Sequence, residues 1–251
     1  MTKIRVRFSK SNALSYIGHL DFLKVFQQTI RRANLPMAYS QGFNPHMLLS
    51  FALPLPLGMA SKNDYADLTL ASTMPTNDIV SQLNTYAPSG LKLTGAWEVE
   101  GAGAAALAAV ADYSLIMPKS NTEGIETLLG QQSIVVPKKT KSGIKNTDIR
   151  TDILDIWETT DITVDKAQPN QAINQQHLQQ NKSEPHESEP QQHEATVIMR
   201  LSAGSARFIN PLIVAKLLLK HDTDPKAITR LDLYYQTKEK ELIPLHEATT
   251  Y

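Results

Sequence analysis

GHLDFLKVFQQTIRRANLP, residues 18–36, has the pattern of one amphipathic helix with both ends marked. Leu20, Leu23, Phe26 (or Gln27) and Ile30 recur at helical spacing. Asp21 falls in the first turn and Arg31 and Arg32 in the last, where each charge suits the helix dipole, and Pro36 stops the run. Just upstream, Ile4, Val6 and Phe8 alternate with Arg5, Arg7 and Ser9, the period of a half-buried strand. Downstream, Met47 to Leu53 and Tyr65 to Ala71 read as strands, Thr76 to Tyr86 as a helix and Leu91 to Val99 as a strand. The order of elements is βαββαβ.

After GAGAAALAAV, which begins at Gly101, the same order returns. Tyr113 to Met117 reads as a strand, Glu123 to Leu129 as a helix and Ser133 to Pro137 as a strand, which Asp152 to Trp157 extends or pairs with. Thr196 to Leu201 follows as a strand, Asn210 to Leu219 as a helix with Pro211 in its first turn, and Ile228 to Tyr235 as a closing strand. The expected class is α+β: two ferredoxin-like βαββαβ units, 1–100 and 112–251, joined by a linker at 101–111 and packed as one body. Residues 167–194, AQPNQAINQQHLQQNKSEPHESEPQQHE, form a low-complexity insertion in the second unit. This stretch is too polar to offset the entropy of ordering, so it is expected to be disordered. Its three histidines, scattered through such a tract, are not read as a metal site.

The chain has 251 residues, 41% hydrophobic content and 25 basic against 25 acidic side chains. That neutral total hides a basic first element: residues 1–50 hold Lys3, Arg5, Arg7, Lys10, Lys24, Arg31 and Arg32 against Asp21 alone. Such a run either faces a phosphate-bearing partner or is an ordinary solvated surface. No cysteine is present, which excludes disulfides, thiol nucleophiles, thiolate zinc sites and any cysteine-held iron–sulfur cluster on this chain. With no apolar run near bilayer length and no signal-peptide core, a cytoplasmic protein with no membrane partner is expected.

Two constellations carry chemistry. The first gathers His19, Asp21, Arg31, Arg32, Gly42, Asn44, Pro45 and His46 within 28 residues. His19 at a helix start can contact phosphate or serve as an acid/base; alternatively Asp21 only complements the dipole and His19 is a surface residue. Gly42 permits positive φ and Pro45 holds Asn44 extended, so the loop either presents side chains or is just a tight turn. His46 is expected near His19, though the spacing matches no metal motif. The second constellation is PKKTKSGIKNTDIR, with Lys138, Lys139, Lys141, Ser142, Gly143, Lys145, Asp148 and Arg150. Its Ser-Gly turn can face an anion and Asp148 can orient Arg150 through an ion pair, unless the segment is only a solvated hairpin. Two basic concentrations on duplicated sheets suit RNA, with Tyr16, Tyr39 and Phe43 as candidate stacking residues. There is no GxGxxG, P-loop or GxSxG.

Taken together, RVRFSK, GHLD, RRANLP, YSQGFNPH, LSFALPLPLG and KTKSGIKNTDIR resemble the radical-SAM-linked proteins of the DUF2344 family, from about Ile4 to Trp157 and more weakly through the final strands. Family members often carry serine where this chain has Gly18. The resemblance implies a protein encoded beside, or fused to, a B12-binding-type radical SAM protein. That partner would carry an iron–sulfur cluster and S-adenosylmethionine, with or without cobalamin, while this chain holds no cofactor. The implied function is an RNA-binding or substrate-presenting accessory role in RNA modification. The alternative is a stand-alone, hydrolase-like acid/base enzyme using His19, Asp21 and His46.

Overall fold

The computed structural model describes residues 1–140, 143–160, 194–205 and 207–248. In chain order the elements are β1 (Thr2–Lys10), α1 (His19–Arg32), β2 (Leu49–Phe51), β3 (Ala60–Leu70), α2 (Thr76–Tyr86), β4 (Leu91–Glu98) and α3 (Ala104–Leu107). They continue as β5 (Val110–Pro118), α4 (Gly124–Leu129), β6 (Val135–Thr140), β7 (Gly143–Asp148) and β8 (Ile153–Thr159). The last are β9 (Glu194–Ser202), α5 (Pro211–Leu219), β10 (Ile228–Gln236) and β11 (Leu242–Pro244). This is a mixed α+β architecture: five helices and a nine-stranded sheet among the described residues.

In the first half the strands lie in the order β4-β1-β3-β2, all antiparallel to their neighbours. The second half repeats the arrangement as β10-β5-β9-β8. A short parallel contact, Thr229 opposite Ala60 and Arg230 opposite Ser61, joins β10 to the start of β3 and makes one sheet of both. Ile4, Val6 and Phe8 point to the face covered by α1 and α2, where they pack with Phe26, Ile30, Ile79 and Leu83. In the second half Leu115, Val197 and Met199 share a core with Ile125, Leu128, Val214 and Leu218. The start of α5 follows its sequence signals: Asn210 accepts a bond from the Leu212 N–H, and Pro211 occupies the first turn.

Several expectations need correction. The buried stripe of α1 is Phe22, Phe26, Thr29 and Ile30, whereas Leu20 is 70% exposed. The helix is rotated so that Phe22 and Phe26 join Phe8 and Phe51 in one aromatic cluster, which buries more apolar area than Leu20 would. Ser133 to Pro137 is not a strand of the main sheet. Residues 135–140 pair with β7 in a separate two-stranded hairpin, and β8 takes the place in the sheet. Pro137 donates no ladder bond and β7 is almost wholly exposed, so neither strand suits a sheet interior. Within 101–111, α3 buries Ala104 and Leu107, and β5 starts at Val110. Of the insertion read at 167–194, all but Glu194, the first residue of β9, lies outside the described residues.

β1 is half-buried except at Arg5: Lys3, Arg7 and Ser9 stay partly exposed. On that second face the C-terminal segment covers Arg5, with the Leu245 and Ala248 carbonyls bonded to its guanidinium. Arg5 is fully buried: Nε and Nη2 donate to the Asp67 carboxylate at 2.8 and 3.2 Å, and Nη1 donates to the Leu245 and Ala248 carbonyls at 2.8 and 2.9 Å. Asp67 also accepts from the Ala104 N–H at 2.7 Å. A second buried pair, Arg230 with Asp64, sits where the two halves meet and reaches the Leu53 carbonyl.

Candidate functional site

The helix that should present His19 and Asp21 does so, but separately. Gly18 caps α1 without a side chain to bond the first N–H groups. Asp21 pairs with Lys24 at 3.1 Å on the exposed surface, and the exposed His19 lays its ring edge-on to Phe51, 5.6 Å between centroids. His46 bonds elsewhere: its Nδ1 lies 2.7 Å from the Ser40 hydroxyl, and its backbone N–H donates to the same oxygen at 3.0 Å. Phe51 lies five residues beyond His46 along an extended chain, a separation of roughly 16 Å. The structure therefore does not gather His19, Asp21 and His46. Among the described residues there is no group of three His, Cys, Asp or Glu side chains able to hold a metal.

The direction of the helix settles which of the predicted residues share an end. His19 meets Phe51 at the far end of β2, and α1 then runs back roughly 20 Å over its 14 residues toward the start of that strand. Arg31 and Arg32 thus lie at the end of the first half that also carries the loop from Ser40 to His46. Both arginines are exposed and have no side-chain partner among the described residues. The loop is pinned at its base by the Tyr39–Met47 bridge and by the Ser40 N–H donating to the His46 carbonyl at 2.9 Å. Gly42 takes φ +123°, where a Cβ would be strained although the space is open. Asn44 and Pro45 are exposed, and Phe43 stands wholly in solvent beside them.

The second constellation divides into structural and free members. Arg150 donates to the carbonyls of Leu129, Gln131 and Ile153, which ties the end of α4 to the start of β8. Asp148 does not hold that guanidinium. It accepts from the Arg150 and Ile134 N–H groups, and these bonds hold its carboxyl below the usual range. The backbone of a tight turn, rather than a side-chain ion pair, uses the carboxylate. Lys138 donates to the Phe208 carbonyl at 3.2 Å and faces Lys145 across the hairpin, an unfavourable pairing of like charges. Lys145 is exposed; Gly143 has φ +124° at the start of β7; Lys141 and Ser142 lie outside the described residues, and the Lys139 side chain is not described.

The sequence reading missed a polar cluster on the face covered by the C-terminal segment. The Tyr65 hydroxyl lies 2.7 Å from Asp232 Oδ1 and 3.1 Å from His246 Nδ1, and Asn63 and the Leu233 N–H also donate to Asp232. Burial pushes the Asp232 carboxyl up to about 6 and, with Asp232 beside it, raises the Tyr65 phenol. Burial and Arg7 lower the His246 imidazole, whose ring also packs on Trp97 at 4.9 Å. These residues come from strands 167 positions apart and from the C-terminal segment, so no local spacing announces them.

The chain matches the family DUF2344, described as an uncharacterized protein conserved in bacteria, over residues 3–187, and it belongs to that family. It has no match among curated proteins.

Proposed function

Taking membership of DUF2344 as the premise, we propose that this chain is an RNA-binding, substrate-presenting accessory protein that works with a B12-binding-type radical SAM protein in RNA modification. One observation carries the reading. Phe43 stands fully exposed on a pinned loop, at the same end of the first half as the unpartnered Arg31 and Arg32. An aromatic face offered to solvent at the same end as free guanidinium groups is suited to stacking an unpaired base while the backbone phosphates are neutralised. Asn44 and His46, on the same loop, supply polar groups for a base edge. The radical chemistry belongs to the partner, because a chain without cysteine offers no thiolate to a cluster.

The acid/base alternative draws less support, since His19, Asp21 and His46 each have a separate local contact. The repeated strand order favours two ferredoxin-like βαββαβ units, 1–100 and 112–251, with the hairpin inserted in the second.

The test is a salt titration of binding to single-stranded RNA, alone and with the radical SAM partner. Arg31→Ala with Arg32→Ala should reduce the log–log slope by about 1.4, or roughly 0.7 per phosphate contact. Phe43→Ala should weaken binding by about 1–3 kcal/mol without changing the slope. Wild-type protein that shows no salt-dependent binding, even with the partner present, would refute the RNA reading.

A further inference from the structure

The RNA reading makes no use of the chain Asp232–Tyr65–His246, which runs from β10 over β3 to the C-terminal segment. Its two links both end on the Tyr65 hydroxyl, 2.7 Å from Asp232 Oδ1 and 3.1 Å from His246 Nδ1. The His246 ring lies parallel to the Tyr65 ring and packs on Trp97 of β4. Its side chain is 19% exposed, with Nε2 3.6 Å from the Glu247 carboxylate. Asp232 stands half-buried at the other end.

The charged groups around the chain are few. Arg7 reaches it from β1 and favours an ionised Asp232 and a neutral His246. Glu247, exposed on the segment itself, pulls His246 the other way. Asp112 lies opposite Asp232 on β5, but Arg200 holds its carboxylate with two hydrogen bonds. The Asn63 amide group and the Leu233 N–H can only donate to Asp232. An acidic hydrogen on this carboxyl therefore has the Tyr65 oxygen as its acceptor.

Each of the two links needs one hydrogen, and the phenol supplies only one of them. The other comes from an end of the chain: from Nδ1–H when Asp232 is a carboxylate, or from the carboxyl O–H when Asp232 is neutral. With a hydrogen at neither end, Nδ1 and the phenol oxygen meet lone pair to lone pair. With one at both ends, the phenol hydrogen loses its acceptor. Either arrangement forfeits a hydrogen bond in a poorly hydrated place.

We propose that Asp232, Tyr65 and His246 form a proton-coupled switch, in which the protonation of Asp232 decides which ring nitrogen of His246 carries hydrogen. With Asp232 ionised, Tyr65 donates to it, Nδ1–H donates to Tyr65, and Nε2 presents a bare lone pair toward the surface. With Asp232 neutral, the carboxyl donates to Tyr65, Tyr65 donates to Nδ1, and the ring hydrogen sits on Nε2 beside Glu247. The two forms differ by one proton. Solvent adds it at Nε2, Nδ1 passes its hydrogen to the Tyr65 oxygen, and Tyr65 passes its own to Asp232 Oδ1. Nothing is oxidised, and the imidazole is neutral in both forms, so no second cation is set beside Arg7. The Asp232 carboxyl, pushed up to about 6, places the changeover close to neutral pH. The exposed nitrogen of the C-terminal segment thereby turns from acceptor to donor as the pH falls. This inference is independent of the RNA reading.

The experiment is a pH titration of the full chain, with isotope-labelled histidine and aspartate followed by NMR. Above the changeover, His246 should carry hydrogen on Nδ1 and none on Nε2. The two ring nitrogens should exchange these signatures at the pH where the Asp232 carboxyl titrates. Tyr65→Phe keeps the ring that packs on His246 and removes the link, so Asp232 should titrate with no tautomer change at His246. Asp232→Asn keeps the oxygen that accepts from Leu233, and hydrogen should stay on Nδ1 until the ring becomes a cation. The inference is overturned if wild-type His246 holds one tautomer through the Asp232 midpoint, or becomes an imidazolium there. It is equally overturned if the two midpoints differ or if Tyr65→Phe still switches. The wild-type titration decides by itself, so a variant that fails to fold does not shield the inference.

Discussion

Replacing Arg5 with methionine tests the account of the second sheet face most severely. The substitution keeps an apolar body of similar length but removes the guanidinium. Asp67 then keeps only the Ala104 N–H, at 2.7 Å, and becomes a buried carboxylate without its counter-ion. The Leu245 and Ala248 carbonyls lose the donor that holds the C-terminal segment to β1. Removing one partner of a buried ion pair costs about 3–5 kcal/mol, a large share of the 5–15 kcal/mol by which a domain of ordinary stability is folded. The double variant Arg5→Met/Asp67→Leu should be more stable than Arg5→Met alone, because the uncompensated charge is gone and only neutral groups remain unsatisfied. Urea denaturation gives the free energies, and hydrogen exchange at 245–248 reports the loosened segment. An Arg5→Met protein within about 1 kcal/mol of wild type would refute the reasoning, as would a double variant less stable than the single.

Asp232 should make the protein less stable as pH rises. Its folded pKa, about 6, lies above the ordinary 3.8, so the folded state holds the proton longer and stability falls between these values. Asp232→Asn should abolish that decline and be the more stable protein at pH 7, as thermal melts from pH 3.5 to 7 would show. His246 acts in the opposite sense: its imidazole is held below 6.5, so stability is lost as pH falls through that value, and His246→Gln should remove the effect. Gly95→Ala places a methyl 2.3 Å from the Trp97 ring and must displace it from Arg7 and His246, with a change in tryptophan emission and some loss of stability. Asn44→Ala and His46→Ala should change stability by less than about 1 kcal/mol while weakening RNA binding, because the loop is exposed and its base keeps its backbone bonds.

The parts of the fold that follow from local chemistry were legible. The α1 boundaries, the signals at α5 and the alternation of β1 each rest on side chains a few residues apart. The phase of α1 was misjudged because periodicity alone weighs Leu20 and Phe22 alike, and only the aromatic partners on β1 and β2 decide between them. The alternation of β1 was read correctly and its meaning was not. Arg5 and Arg7 mark a solvent face in most strands, but here Asp67 and a segment 240 residues away close over Arg5. The loop of the candidate site was legible because Gly42, Asn44 and Pro45 act through their own backbone. The Tyr65–Asp232–His246 cluster was not, because it is defined by tertiary neighbours.

The fate of the N-terminal cations limits what RNA binding by this chain can look like. Lys3 donates to the Gly101 carbonyl, Arg5 is buried against Asp67, and Arg7 lies on Trp97 and bonds Thr94. Lys10 lies over the Phe22 ring and Lys24 is engaged by Asp21. The basic first element therefore does not form a phosphate-binding face, and from residues 1–50 Arg31 and Arg32 are the exposed cations without a side-chain partner among the described residues. Two contacts to a single strand give a log–log slope of about 1.4. A steeper wild-type slope requires the second constellation to contribute as well. There Arg150 is tied to carbonyls and Lys138 to Phe208, which leaves Lys145 as the exposed cation among the hairpin's described side chains. Lys145→Ala should then lower the slope by a further 0.7 or so, in addition to the arginine pair. If the slope instead survives all three substitutions, the phosphate contacts lie elsewhere, and the exposed Phe43 loop must serve a partner other than RNA.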